Sequence, residues 1–158
     1  MKLNLKIFLL TFLFAHTLSY SQTKEKPMNK LSFMIGNWVG ISKTYQNNTI
    51  KTEVPAYQKI EYKLNKNIIT IDLQSKTLRL HTVIYYDKKD EKYHYNSYYK
   101  NGAGKYTGVL KNGKLVISPT SEKRFIFQLM KNGEFQEHGE KLVNGKWITY
   151  FKDIFTKS

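Results

Sequence analysis

Residues 123–153 read KRFIFQLMKNGEFQEHGEKLVNGKWITYFKD, three runs of β-branched and aromatic residues separated by Asn132-Gly133 and Asn144-Gly145. An Asn-Gly pair supplies positive φ at both central positions of a type I′ turn, whose twist suits a β-hairpin. The stretch therefore predicts three consecutive antiparallel strands. Across a two-residue loop the numbers of paired residues sum to a constant and partners share a face, so parity can be carried from strand to strand. Centring a turn on Asn144-Gly145 groups Trp147, Thr149, Phe151 and Asp153 with Leu142, Glu140, His138 and Gln136. Carried through Asn132-Gly133, the same face gains Phe125, Phe127 and Leu129, which marks it as the inner one. The reverse face holds Arg124 and Gln128, and pairs Glu137 with Lys152.

The pattern extends outward from this stretch. Further Asn-Gly pairs stand at Asn101-Gly102 and Asn112-Gly113, and turn-forming residues gather at Asn65-Lys66, Gln74 to Thr77, Asp87 to Asp90 and Pro119 to Ser121. From Met34 onward no run of ten residues shows the apolar spacing of a helix. Parity places Gln58, Ile60, Tyr62, Ile69, Ile71 and Leu73 on one inner face, followed by Leu78, Leu80, Thr82, Ile84 and Tyr86. Tyr93, Tyr95, Ser97 and Tyr99 continue it, and Tyr106, Gly108, Leu110, Leu115 and Ile117 complete it. A meander with one apolar face and one lysine-rich face predicts an all-β fold. The expected form is an up-and-down antiparallel barrel of about ten strands with a short N-terminal helical turn, because closure removes exposed edges. A two-sheet sandwich is the alternative.

The chain has 158 residues and no cysteine, which excludes disulfides, thiolate metal sites, cysteine nucleophiles and lipid attachment through cysteine. At its N-terminus Lys2 and Lys6 precede the apolar run Ile7 to Ala15 and the small residues Ser19 and Ser21, the grammar of an export signal. The expected division is a signal peptide over 1–21, a flexible tether over 22–30 and one barrel domain over 31–158, exported to a periplasm or secreted. The apolar run is too short to span a bilayer, and no membrane span is expected in the mature protein. Loss of Lys2 and Lys6 takes the net charge from +14 to +12. The basic charge is nearly all lysine and is spread along every strand, so a solvated surface is expected and no specific nucleic-acid partner.

The first strand opens within Leu31-Ser-Phe-Met34-Ile-Gly36-Asn-Trp38-Val-Gly40. Gly36, Trp38 and Gly40 form a motif that resembles the opening of bacterial lipocalin-like families in the wider calycin group, which include nitrobindin-like haem-binding barrels. The resemblance implies a barrel whose tryptophan plugs its closed end. Two departures stand out: the only arginines, Arg79 and Arg124, lie outside the last strand, where lipocalins cover the tryptophan, and no histidine follows His138. The haem-binding barrels carry their ligating histidine near the C-terminal strand, so no haem or other cofactor is expected here.

No catalytic motif is present and no catalytic residue is assigned. His81 and His94 fall on the outer face and His138 on the inner, which precludes convergence on one metal ion. The expected ligand pocket is lined by Tyr93, Tyr95, Tyr99, Phe127 and Phe151, with Gln136, His138 and Glu140 as its polar anchor, an apolar lining with a few convergent polar groups. The leading expectation is an exported protein that holds a small apolar or amphipathic molecule. Two alternatives stand beside it: a basic surface module for polyanions such as lipopolysaccharide or acidic polysaccharide, and a barrel enzyme using His138 and Glu140. Ligand identity and oligomeric state are not legible in the sequence.

Overall fold

The computed structural model describes residues 25–158. The expected signal peptide, 1–21, and the start of the tether lie outside the described residues. A 3-10 helix, Pro27–Met34, leads into ten strands: β1 (Gly36–Gln46), β2 (Thr49–Lys63), β3 (Ile68–Ser75), β4 (Arg79–Asp87), β5 (Lys92–Tyr99), β6 (Gly102–Lys111), β7 (Lys114–Thr120), β8 (Lys123–Leu129), β9 (Phe135–Val143) and β10 (Lys146–Lys157). Each strand pairs antiparallel with the next, and β1 pairs with β10 to close the barrel. The strand count, the meander and the closure agree with the expectation, and the sandwich alternative falls away.

Type I′ turns form at two of the Asn-Gly pairs, with φ of 51° and 73° at Asn112-Gly113 and of 49° and 76° at Asn144-Gly145, whereas neither residue of Asn101-Gly102 takes positive φ and Gly102 opens β6. Asn47 and Asn48 make a similar pair, φ 51° and 62°, between β1 and β2, a turn that the Asn-Gly pattern passes over. The Asn132-Gly133 turn differs. Only Gly133 takes positive φ, the Met130 amide donates to the Glu134 carbonyl at 2.8 Å, and Leu129 pairs with Phe135. The loop thus holds three residues, Lys131 to Gly133, which moves β9 by one residue against β8. On its other side, β9 meets a bulge: Thr149 pairs with Glu140, yet Phe151 pairs with Gly139, leaving Tyr150 as the extra residue.

These two one-residue events overturn the expected facing of β9. Phe135, Glu137 and Gly139 point inward, while Gln136, His138 and Glu140 point outward. Glu137 accordingly pairs with Asp153, not with Lys152. Trp147, ahead of the bulge, is on the outside as well, where the Arg124 guanidinium lies 4.0 Å from its ring centroid. Phe151 and Asp153, beyond the bulge, are inside as expected.

The barrel's lower half is packed solid. Leu31, Met34, Ile60, Ile69, Ile84, Leu115, Phe127, Phe135 and Phe155 are almost fully buried, each contributing roughly 1.5–3 kcal/mol of burial free energy. The 3-10 helix closes this end and begins at Pro27, whose fixed φ suits a helix start, so the ordered part reaches into the expected tether and Met28 is buried. Its carbonyls are bound from the barrel: Tyr93 Oη donates to Pro27 O at 2.8 Å and Tyr62 Oη to Met28 O at 3.1 Å. Trp38 is 2 % exposed, donates Nε1–H to Met34 O at 2.8 Å and packs on Phe135 with centroids 5.2 Å apart. Its strand partner Lys157 sets Nζ 5.9 Å from the indole centroid, a cation over the tryptophan where neither arginine of the chain reaches. Gly40 lies at the β1–β10 closure, where a Cβ would collide with the Ile154 carbonyl.

Candidate functional site

Above this packed half the barrel holds a cavity of about 500 Å³. A ten-strand barrel is wider than an eight-strand one, whose interior side chains can just fill. Side chains that reach across the lower half are replaced above it by short ones, Ser42 and Thr44 on β1 and Ser97 on β5. Leu73, Leu80, Phe125 and Phe151 supply the apolar wall, and Tyr95, Tyr106 and Tyr150 add rings with hydroxyl tips. Thr77, Leu78 and Tyr99 stand at the mouth, and the last two are about half exposed. Gly139 has a local purpose here, since a Cβ on it would occupy the place of the Phe151 ring.

The polar side of the cavity is acidic. Glu137 and Asp153 are cross-strand partners, 6 % and 4 % exposed, and both line the cavity. Gln58, 1 % exposed, donates Nε2–H to Glu137 Oε2 at 3.1 Å. Burial pushes the Glu137 carboxyl up to about 8, with Asp153's charge adding to the rise and the Gln58 hydrogen bond opposing it. Burial likewise raises Asp153 to about 6, against the Ser42 hydroxyl and Lys43 amide, which favour its ionised form. Two acceptor atoms in this group, Gln58 Oε1 and Asp153 Oδ1, have no hydrogen-bond donor within the protein. Burial also raises the Tyr95 and Tyr150 phenols, Tyr150 to about 12. Among the described residues no lysine, arginine or histidine lines the cavity.

The expected pocket residues are divided by the structure. Tyr95, Tyr99 and Phe151 line the cavity. Tyr93 and Phe127 lie below it in the packed core, 4 % and 0 % exposed. Gln136, His138 and Glu140 form an outer-face ladder: Gln136 Nε2 meets His138 Nδ1 at 3.1 Å, His138 Nε2 stands 3.6 Å from Glu140, and Arg124 Nε binds Glu140 Oε2 at 2.5 Å. Partial burial lowers the His138 pKa, with Glu140 opposing the shift. This ladder does not face the cavity, so the expected polar anchor is corrected to Glu137 and Asp153, the first of which is hydrogen-bonded by Gln58. Asp153 and Gln58 were legible as inward. Glu137 was missed, although Phe135 and Gly139, each two positions away on the same parity, both suit an inner face.

The other two histidines among the described residues pair locally. His81 Nδ1 lies 2.6 Å from Asp72, and His94 Nε2 lies 2.9 Å from Asp90 while its ring stacks on Tyr85. Across the β4–β5 ladder His81 pairs with Tyr98 and His94 with Tyr85. Asp87, Asp90 and His94 bring ligand atoms within 4.8 Å of one another at the β4–β5 turn, with Asp87 and Asp90 also accepting backbone amides there. On the lysine-rich exterior Lys43 pairs with Glu53, and Lys59 and Lys63 both reach Glu61. No helix among the described residues is long and apolar enough to cross a membrane.

Comparison with known proteins supports the fold. The chain is similar in structure to Rv2717c from M. tuberculosis, with a TM-score of 0.58 at 10 % identity, covering 85 % of this chain and 99 % of that one. A protein of unknown function from the DUF3598 family of Nostoc punctiforme aligns with a TM-score of 0.31 at 7 % identity, covering 85 % of this chain and all of that one. No family model matches the sequence, and no curated protein matches it. What the chain shares with the first of these is the fold.

Proposed function

We propose that this protein is an exported binding protein of the lipocalin-like kind, which holds a small apolar or amphipathic molecule in the open half of its barrel. One observation carries the reading: a cavity of about 500 Å³, walled by Leu73, Leu80, Phe125 and Phe151, sits above a fully packed base. That volume lies within the roughly 300–1,000 Å³ usual for small-molecule sites, and an apolar lining with a few buried polar groups is what such sites require. Export is supported by the basic, apolar and small-residue order of residues 1–21. Kinship with the lipocalin-like families is supported by Gly36, Trp38 and Gly40, since Trp38 plugs the closed end and Gly40 admits the closing strand. The barrel-enzyme alternative loses its footing because His138 and Glu140 are outside the cavity.

The test is fluorescence titration with N-phenyl-1-naphthylamine, a neutral probe that brightens in apolar surroundings. Saturable one-to-one binding is expected, with marked weakening in Ser97→Phe, which fills the cavity from β5. Circular dichroism confirms that the variant keeps its β structure. Absence of saturable binding, or binding unaffected by the filled cavity, would sink the reading.

A further inference from the structure

We infer that the molecule held in this cavity carries a protonated amine, seated against the carboxyls of Glu137 and Asp153. The inference rests on the cavity being a binding site and specifies the head group that it selects.

The argument begins with an imbalance. Glu137, Asp153 and Gln58 present buried acceptor atoms, and the only donor they exchange among themselves is the Gln58 amide to Glu137. Asp153 Oδ1 and Gln58 Oε1 are left without donors, although their residues are 4 % and 1 % exposed. A buried polar atom without a partner costs about 1–3 kcal/mol, more for a charged group, so a ligand that supplies a donor to Asp153, the one of the two that lines the cavity, recovers part of that cost on binding. A protonated carboxyl of the pair can supply one neutral donor, but a cation is missing: two acids line the cavity and, among the described residues, no cationic side chain does.

An ammonium group fits this demand by its chemistry. It offers three N–H donors in a compact head and no acceptor, and its hydrogen bonds to carboxylates are charge-assisted. An alcohol of the same length brings one donor and no charge. A carboxylate brings further acceptors and a like charge to a pair of acids that already disfavour being ionised together. The wall above, Leu73, Leu80, Phe125 and Phe151, takes the apolar remainder of the molecule, so head and body are separated along the barrel axis. The basic exterior repels cations at long range, which leaves selection to the cavity's acidic group.

The experiment displaces N-phenyl-1-naphthylamine from the purified protein with octylamine, octanol and octanoate, which share a chain and differ in the head. Octylamine is expected to compete at least about tenfold better than octanol, the worth of one charge-assisted hydrogen bond, with octanoate weakest. The readout is the amine-to-alcohol ratio. Asp153→Asn should bring that ratio to within about twofold of unity. Glu137→Gln should lower it in the same direction, which keeps the test open if one variant fails to fold, and His138→Ala on the outer face should leave it intact. Equal competition by amine and alcohol, or a preference for octanoate, overturns the inference while the binding reading stands. If neither the probe nor any of the three binds, the binding reading itself has failed and the inference falls with it.

Discussion

Glu137 and Asp153 face each other across the β9–β10 ladder inside the barrel, two carboxyls in a wall that is otherwise apolar or hydroxylic. Removing carboxylates from water is costly, and placing two together costs more, so at least one holds its proton near neutrality. Such a pair is seldom the cheapest way to finish a core. Its place at the cavity, above and not within the packed half, is what ties it to binding.

The pair makes stability depend on pH with a definite sign. Glu137 rises from its ordinary 4.5 to about 8 and Asp153 from 3.8 to about 6, so the folded protein binds more protons than the unfolded chain across that window. Their contribution to stability is therefore full below about pH 4 and is lost as pH climbs towards 8. Asp153 and Gln58 act on Glu137, which in turn raises the Tyr95 and Tyr150 phenols, and of these only Asp153 titrates with it in this range. Glu137→Gln should gain on the wild type by on the order of 2–4 kcal/mol between pH 5 and pH 8. Urea unfolding of both proteins at the two pH values checks this, and a pH-independent difference would contradict it.

Trp38 is the closed end's keystone by packing and by hydrogen bonding. Trp38→Ala should cost about 3–5 kcal/mol, as loss of a large buried ring does. Trp38→Phe keeps most of the ring but leaves Met34 O without its donor, and should cost about 1–3 kcal/mol. The order of the two denaturant midpoints is the measurement. Equal losses would mean that the hydrogen bond adds nothing.

Gly40 should not tolerate a side chain. The obstacle to a Cβ is the Ile154 backbone of the facing strand, which cannot turn aside as a flexible side chain would. Gly40→Ala is expected to cost at least about 1–3 kcal/mol by overpacking and to loosen the β1–β10 closure. Faster hydrogen exchange of β1 and β10 amides, with the other strands less affected, is the predicted signature.

The outer ladder of β9 should be silent in binding. His138→Ala and Glu140→Ala are expected to leave probe affinity within about twofold, whereas Phe151→Ala, which removes a ring from the cavity wall, should weaken it about tenfold. Parallel titrations of the three variants decide the matter. A large effect at His138 would restore the inward facing that the sequence suggested.

That facing shows where sequence reasoning stops. Alternation and Asn-Gly turns were enough for ten strands, for the barrel and for the inner sides of β2 to β8. Tyr95, Tyr99 and Phe151 could be assigned to the inner face by parity alone. Parity is unforgiving, however: a three-residue loop in place of two at Asn132-Gly133 and one bulged residue at Tyr150 each shift pairing by one. The shifts flank β9 on both sides, so they reverse that strand and the start of β10, Trp147 and Thr149, and leave β8 and the rest of β10 correct. The physical signal lay in Phe135, an aromatic residue that the expected facing would have put in water. Depth was the other illegible quantity. Face alternation cannot tell Tyr93 and Phe127, which fill the base, from Tyr95 and Phe125, which border the cavity.

The most direct test of the binding account is a two-dimensional NMR titration of the isotope-labelled protein with N-phenyl-1-naphthylamine. The account predicts saturable shifts gathered on Ser42, Thr44, Ser97, Tyr99, Glu137 and Phe151, with Leu31, Trp38 and Phe155 at the packed end scarcely moved. Shifts centred on the outer ladder of Gln136, His138 and Glu140, or no saturable shifts at all, would contradict it.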